Sequence, residues 1–121
     1  MSDKNEILSE TESEDRKDDN IEKVIANVID KEKIERYLKL TQEALKKARK
    51  AAPPRSYASE IADNFYSMAN TYYSDALFFY SSGNWVNAFA AVNYAHGWLD
   101  AGARLGLFDV GEDDRLFTLL K

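Results

Sequence analysis

An all-α fold is predicted for this chain, on three observations. Apolar residues recur at intervals of three and four along most of its 121 residues. Capping residues stand where these periodic runs begin and end. No stretch alternates with the two-residue period of a strand. The implied architecture is a small helical bundle built on a long antiparallel helical hairpin, with an N-terminal amphipathic helix packed across it. A chain of this length forms at most one domain with one modest core.

Residues 1–20 hold eight acidic and three basic side chains and few apolar ones. They are expected to form a disordered acidic tail, with residues 21–121 as the single folded domain. Asn20 is a good N-cap, and Ile21, Val24, Ile25 and Val28 follow at helical spacing. The stripe then changes phase, because continuing it would bury Lys31, Glu32 and Glu35. Asp30 explains the shift as a fresh N-cap, with Ile29 and Ile34 placed as a hydrophobic staple. A short helix, a kink near Asp30 and a long amphipathic helix to about Ala51 are therefore expected. That long helix carries Ile34, Tyr37, Leu38, Thr41, Leu45 and Ala48 on one face.

Pro53 and Pro54 stop it, since proline lacks the amide donor and disfavours helical geometry in the residue before it. Ser56 or Ser59 can cap the next helix, which runs to about Ser81. Gly83 fits the left-handed position beyond its end, and Asn84 caps a further helix to about Leu105, ended by Gly106. The connection is short enough to make the two an antiparallel hairpin. One face of its first arm is expected to be Ile61, Phe65, Met68, Tyr72, Ala76 and Phe79. The matching face of the second is Trp85, Phe89, Val92, His96, Leu99 and Ala103. A short final helix is expected in the stretch DVGEDDRLFTLLK, with Leu116, Phe117 and Leu120 free to pack.

Composition narrows the chemistry. There is no cysteine, which excludes disulfides, thiolate metal sites and a cysteine nucleophile. The first residues carry no apolar leader, so a cytoplasmic setting is expected. Ala76 to Leu99 has no charged residue, but Ser81-Ser82-Gly83-Asn84 interrupts it, and it reads as buried helix rather than a membrane span. The net charge of −5 conceals a +5 segment, residues 21–55, between two segments of −5. Packing of complementary segments explains this; binding of RNA or an acidic partner along the basic helix 31–55 is the sharper alternative.

The stretch YAHGWLDAG, residues 94–102, gathers the only histidine, one of two tryptophans, an aspartate and two glycines. On the helical wheel Asn93, Asp100 and Arg104 share a strip with His96 at its edge, and Asp75 of the preceding helix lies near Ala91. A polar cluster of Asp75, Asn93, His96, Asp100 and Arg104 is the one place for a small-ligand pocket, with His96 as a base or ligand. Metal sites recruit several ligands, and no nucleophile–base pair or phosphate loop accompanies this histidine. The plainer reading is a half-buried histidine satisfied by a tyrosine hydroxyl or a backbone carbonyl. Gly97 and Gly102, each costing about 1 kcal/mol inside a helix, read as points of close helix approach. Tyr66, Tyr73, Tyr94 and Trp98 fall off the main faces and form a candidate interaction surface, for a protein partner or a second copy.

The run YYSDALFFYSSGNWVNAFAAVNYAHGWLDAGARLGLF, residues 72–108, resembles an archaeal family known only as domain of unknown function 357, and the likeness extends more loosely to residues 37–52. The resemblance implies a small, all-α, cytoplasmic protein and brings no activity or catalytic residue. The segment from Ser81 to Leu99 is also similar to the hairpin of a tetratricopeptide repeat, without a second copy. The small-residue helix looks like those of HEPN domains, whose ribonuclease members place an arginine shortly before a histidine; here residues 90–92 are Ala-Ala-Val and Arg104 follows His96. The sequence thus predicts a non-enzymatic interaction module without a cofactor or metal, possessing no membrane span, with nucleic-acid or nucleotide binding as the alternative.

Overall fold

The computed structural model describes residues 26–118. Its elements are α1 (Lys31–Lys47), β1 (Arg49–Lys50), α2 (Tyr57–Ser81), α3 (Trp85–Arg104) and β2 (Phe108–Asp109). The acidic tail, Asn20 to Ile25 and Leu120 lie outside the described residues.

Asp30 caps α1: its backbone is extended and its carboxylate accepts the Lys33 amide at 2.8 Å. Ile29 and Ile34 pack in the same apolar cluster, as a staple requires. The residues just before the cap, 26–30, are not helical, which corrects the expected short helix over the part of it that is described. Asn27 and the β-branched Val28 and Ile29 are poor helix formers, and the extended Asp30 stops any helix arriving from upstream.

α1 ends at Lys47, before the expected Ala51. Arg49 and Lys50 instead pair antiparallel with Asp109 and Phe108, and the Ala51 amide donates to the Leu107 carbonyl at 2.9 Å. This short ladder has no periodic signature, because its stabilising bonds join residues nearly sixty positions apart.

Ser56, rather than Ser59, caps α2; its hydroxyl oxygen accepts the Ser59 amide at 3.1 Å. Both hairpin helices end in the same way. The Asn84 amide reaches the Phe79 carbonyl and the Gly83 amide the Tyr80 carbonyl, while Leu107 and Gly106 repeat the pattern on Gly102 and Ala103. Each ending needs a left-handed residue, and Gly83 and Gly106 supply φ of 81° and 79°. Asn84 then caps α3 by accepting the Asn87 amide at 3.2 Å.

The hairpin closes on a seam of alanines, Ala62, Ala69 and Ala76 of α2 against Ala88 and Ala95 of α3, all fully buried. The expected core faces are therefore rotated. Ile61, Phe65, Met68, Tyr72 and Phe79 are half-buried along one flank of α2, and of that stripe only Ala76 lies in the seam. On α3, Val92 and Leu99 are buried as expected, whereas Trp85, Phe89, His96 and Ala103 are half-buried. α1 packs across the other flank, sending Ile34 and Leu38 to one cluster and Ala44 and Leu45 to the other.

Residues 111–118 form turns rather than the expected final helix, yet Leu116 and Phe117 are buried at 4% and 2% exposure. Asp113 starts a helix-like turn by accepting the amides of Arg115 and Leu116, each at 3.1 Å. The turn does not propagate, because Thr118 gives its amide to Asp100 across the bundle. We call this segment the strap.

Candidate functional site

Asn93, His96 and Asp100 line one cavity of about 380 Å³, with Tyr37 and Thr41 of α1 and the strap forming its other walls. Arg104 does not line it, and Asp75 lines a different groove on the opposite flank, so the expected five-residue cluster is divided.

His96 is satisfied from both sides. Nε2 donates to the Leu116 carbonyl at 2.6 Å, because a carbonyl can only accept. In the uncharged tautomer that carries this proton, Nδ1 is the acceptor for the Thr41 hydroxyl, 2.9 Å away. Thr41 is 2% exposed, so the imidazole is held between a buried hydroxyl and the strap backbone. Service as a general base would require breaking one of these bonds.

Asp100 accepts the Thr118 amide at 3.0 Å and lies 3.4 Å from its hydroxyl. Arg115 pairs with Glu43 at 3.2 Å and Lys47 with Asp113 at 3.7 Å. The Asp113 carboxyl is held below its ordinary range, first by the Leu116 amide, then by the Arg115 amide and the charges of Lys47 and Arg115, against some burial. Together these groups clamp the strap to α1 and α3. Asp113 and Thr118, and the part Thr41 plays beyond lying on the apolar face of its helix, escaped sequence reasoning, since nothing local marks a hydroxyl or an aspartate for a partner so distant. The +5 segment finds part of its balance here and in a Lys50–Asp63 pair at 2.9 Å.

The candidate interaction surface divides as well. Tyr66 donates its hydroxyl to the Leu45 carbonyl at 2.8 Å and meets Phe108 edge-on. Tyr73 touches both core clusters, and burial raises its phenol pKa. Both are half-buried on the side covered by α1, which corrects their assignment to a surface. The same flank holds the Tyr37–Phe89 pair and the Tyr80–Glu35 hydrogen bond.

Tyr94 and Trp98 lie on the uncovered flank. There the rings of Phe65 and Trp98 meet edge-to-face at 4.9 Å, Trp98 and Tyr94 at 6.2 Å, and Tyr94 and Tyr72 at 4.5 Å. Two grooves run beside this chain of rings and share Tyr94 as a wall. One, of about 490 Å³, is lined by Tyr72, Asp75, Phe79, Asn87, Ala90 and Ala91; the other, of about 270 Å³, by Phe65, Gly97, Trp98 and Ala101. Tyr94 is 51% exposed, and the buried Trp98 indole N–H has no hydrogen-bond partner among the described residues.

The two glycines behave differently. A methyl at Gly102 would overlap the Phe108 ring, so close approach explains that glycine, although the neighbour is a loop ring and not a helix. A methyl at Gly97 would meet nothing within 4 Å, which corrects its reading as a helix contact within this chain.

Among the described residues no helix is long and apolar enough to cross a membrane, and no group of three or more histidine or carboxylate side chains could hold a metal ion. No curated protein and no solved structure matches the chain. A family model described as a protein of unknown function, DUF357, matches residues 36–108, a span that contains the whole open groove and excludes the strap. That match covers more than half of the sequence, and the chain belongs to the DUF357 family.

Proposed function

We propose that the protein is a non-enzymatic interaction module that receives an apolar α-helix of a protein partner along the uncovered flank of the α2–α3 hairpin. The observation that carries this reading is the pair of grooves joined at Tyr94, walled by aromatic rings and alanines that no other part of the described chain covers. Two packed helices leave a furrow suited to a third, and an apolar helix face laid into such a furrow is a recurring mode of recognition. The polar cavity supports the same conclusion from the other side, because His96 and Asp100 are occupied in holding the strap. A cytoplasmic, archaeal setting is in keeping with the cysteine-free composition and with the family resemblance of residues 72–108.

Photo-crosslinking tests this reading. Benzoylphenylalanine placed at Tyr94, and at the exposed Lys39 of α1 as a control, is irradiated in cells producing the full chain. Protein adducts at position 94 and none at 39 are expected. RNA adducts at 39 with none at 94 would overturn the proposal in favour of the basic helix.

A further inference from the structure

The open flank carries the features of a surface that matches itself. Gly97 borders the smaller groove and the polar cavity beside it, exposed, in a helix interior where glycine is destabilising. Nothing within the described chain packs against it, so the chain's own packing does not explain its small size. Two exposed charges stand toward the ends of the flank, Asp75 on α2 and Arg104 on α3, and neither has an ion-pair partner among the described residues. Their placement is reciprocal about Gly97. Arg104 lies two helical turns beyond it, and Ala90, which borders Asp75 in the groove, lies two turns before it, about 10 Å each way.

We infer that the helix received by this flank is α3 of a second copy of the chain, packed antiparallel about a two-fold axis at Gly97. This rests on the reading of the flank as a protein-binding surface and names its occupant. In that arrangement Arg104 of each copy falls beside Asp75 of the other, forming the ion pair twice. Tyr94 of each copy falls level with residue 100 of the other, beside the smaller groove at Trp98 and Ala101. A surface patch that pairs with itself through a two-fold axis closes a dimer and leaves no free end for further growth. The opposite charges set the direction, since a parallel arrangement would bring like charges level with one another.

Sedimentation equilibrium of the full chain over a range of concentrations tests this. A dimer is expected. Asp75→Arg and Arg104→Asp should each weaken it by about tenfold or more, and the double exchange should restore it. Gly97→Leu should give a monomer whose helical circular dichroism is unchanged, because the site is empty within the chain. A chain that stays monomeric overturns the inference, as does a dimer indifferent to Gly97→Leu and to the charge exchange. A monomer that crosslinks from position 94 to a different protein overturns the second copy while keeping the interaction module. A monomer that crosslinks from position 94 to its own residues ahead of Ala26 overturns both.

Discussion

The two flanks of the α2–α3 hairpin are made of the same kinds of residue and have opposite fates. On the covered flank Tyr37, Tyr66, Tyr73, Tyr80 and Phe89 pack between α1 and the hairpin; Tyr66 and Tyr80 spend their hydroxyls on α1, and Tyr37 and Phe89 meet ring to ring. On the open flank Phe65, Tyr72, Tyr94 and Trp98 form a chain of edge-on rings, of which Phe65 and Trp98 also pack against the core. Aromatic content alone does not distinguish a core from a surface here. What distinguishes them is whether another element supplies groups for the phenol and imidazole tips. α1 supplies the Leu45 carbonyl, Glu35 and Thr41 to Tyr66, Tyr80 and His96, whereas the Trp98 indole N–H has no acceptor among the described residues.

The comparison can be broken by truncating one residue of the seam and one of the open flank. Leu99 is fully buried in the seam, and Leu99→Ala should lower the urea-unfolding free energy by about 3 kcal/mol. Tyr94→Ala should cost about 1 kcal/mol, the worth of its edge-to-face contacts. Equal losses would mean that the open flank is as much a part of the core as the seam itself.

The polar edge offers a sharper test. His96→Ala removes the acceptor of a buried hydroxyl and the donor to the Leu116 carbonyl, and should cost about 2 kcal/mol. Proteolysis within residues 111–118 should accelerate with it. A stability equal to that of the parent chain would show that the histidine is not structural, and would reopen a ligand-binding or catalytic role for it.

The smallest effect expected is in the strap at low pH. Because the folded Asp113 carboxyl titrates below its ordinary value of 3.8, its contribution is fully present above that value and is lost as pH falls through the folded pKa. Hydrogen exchange in residues 113–118, corrected for intrinsic rate, should be steady from about pH 7 to about pH 5 and speed up below the ordinary aspartate range. Asp113→Asn should flatten that acid limb, and an unchanged limb would assign it to another carboxylate.

Local chemistry made much of the fold legible. Asp30, Ser56 and Asn84 cap their helices, and Gly83 and Gly106 end them, because each acts on amides or carbonyls a few residues away. The β1–β2 ladder and the strap were not legible, since Lys50 and Phe108, or Asp100 and Thr118, meet only once the bundle exists. The rotation of the hairpin faces has a different cause. Periodicity weighted by side-chain size selects Phe65 and Tyr72, while two helices in close contact select alanine, which carries little apolar weight. For the candidate site, wheel geometry placed Asn93, His96 and Asp100 on one edge, but the groups that occupy His96 and Asp100 come from α1 and from the strap.

The alanine seam also governs the entropy of the hairpin. Alanine has no rotamers to lose when it is buried, whereas a long side chain such as methionine gives up about 1.5–2 kcal/mol of rotamer freedom. Ala62, Ala69, Ala76, Ala88 and Ala95 thus enter the buried seam at the cost of ordering the backbone alone. The rings beside them add few torsions of their own. A hairpin ordered this cheaply can hold its shape with only one flank covered, which leaves the other free for a partner.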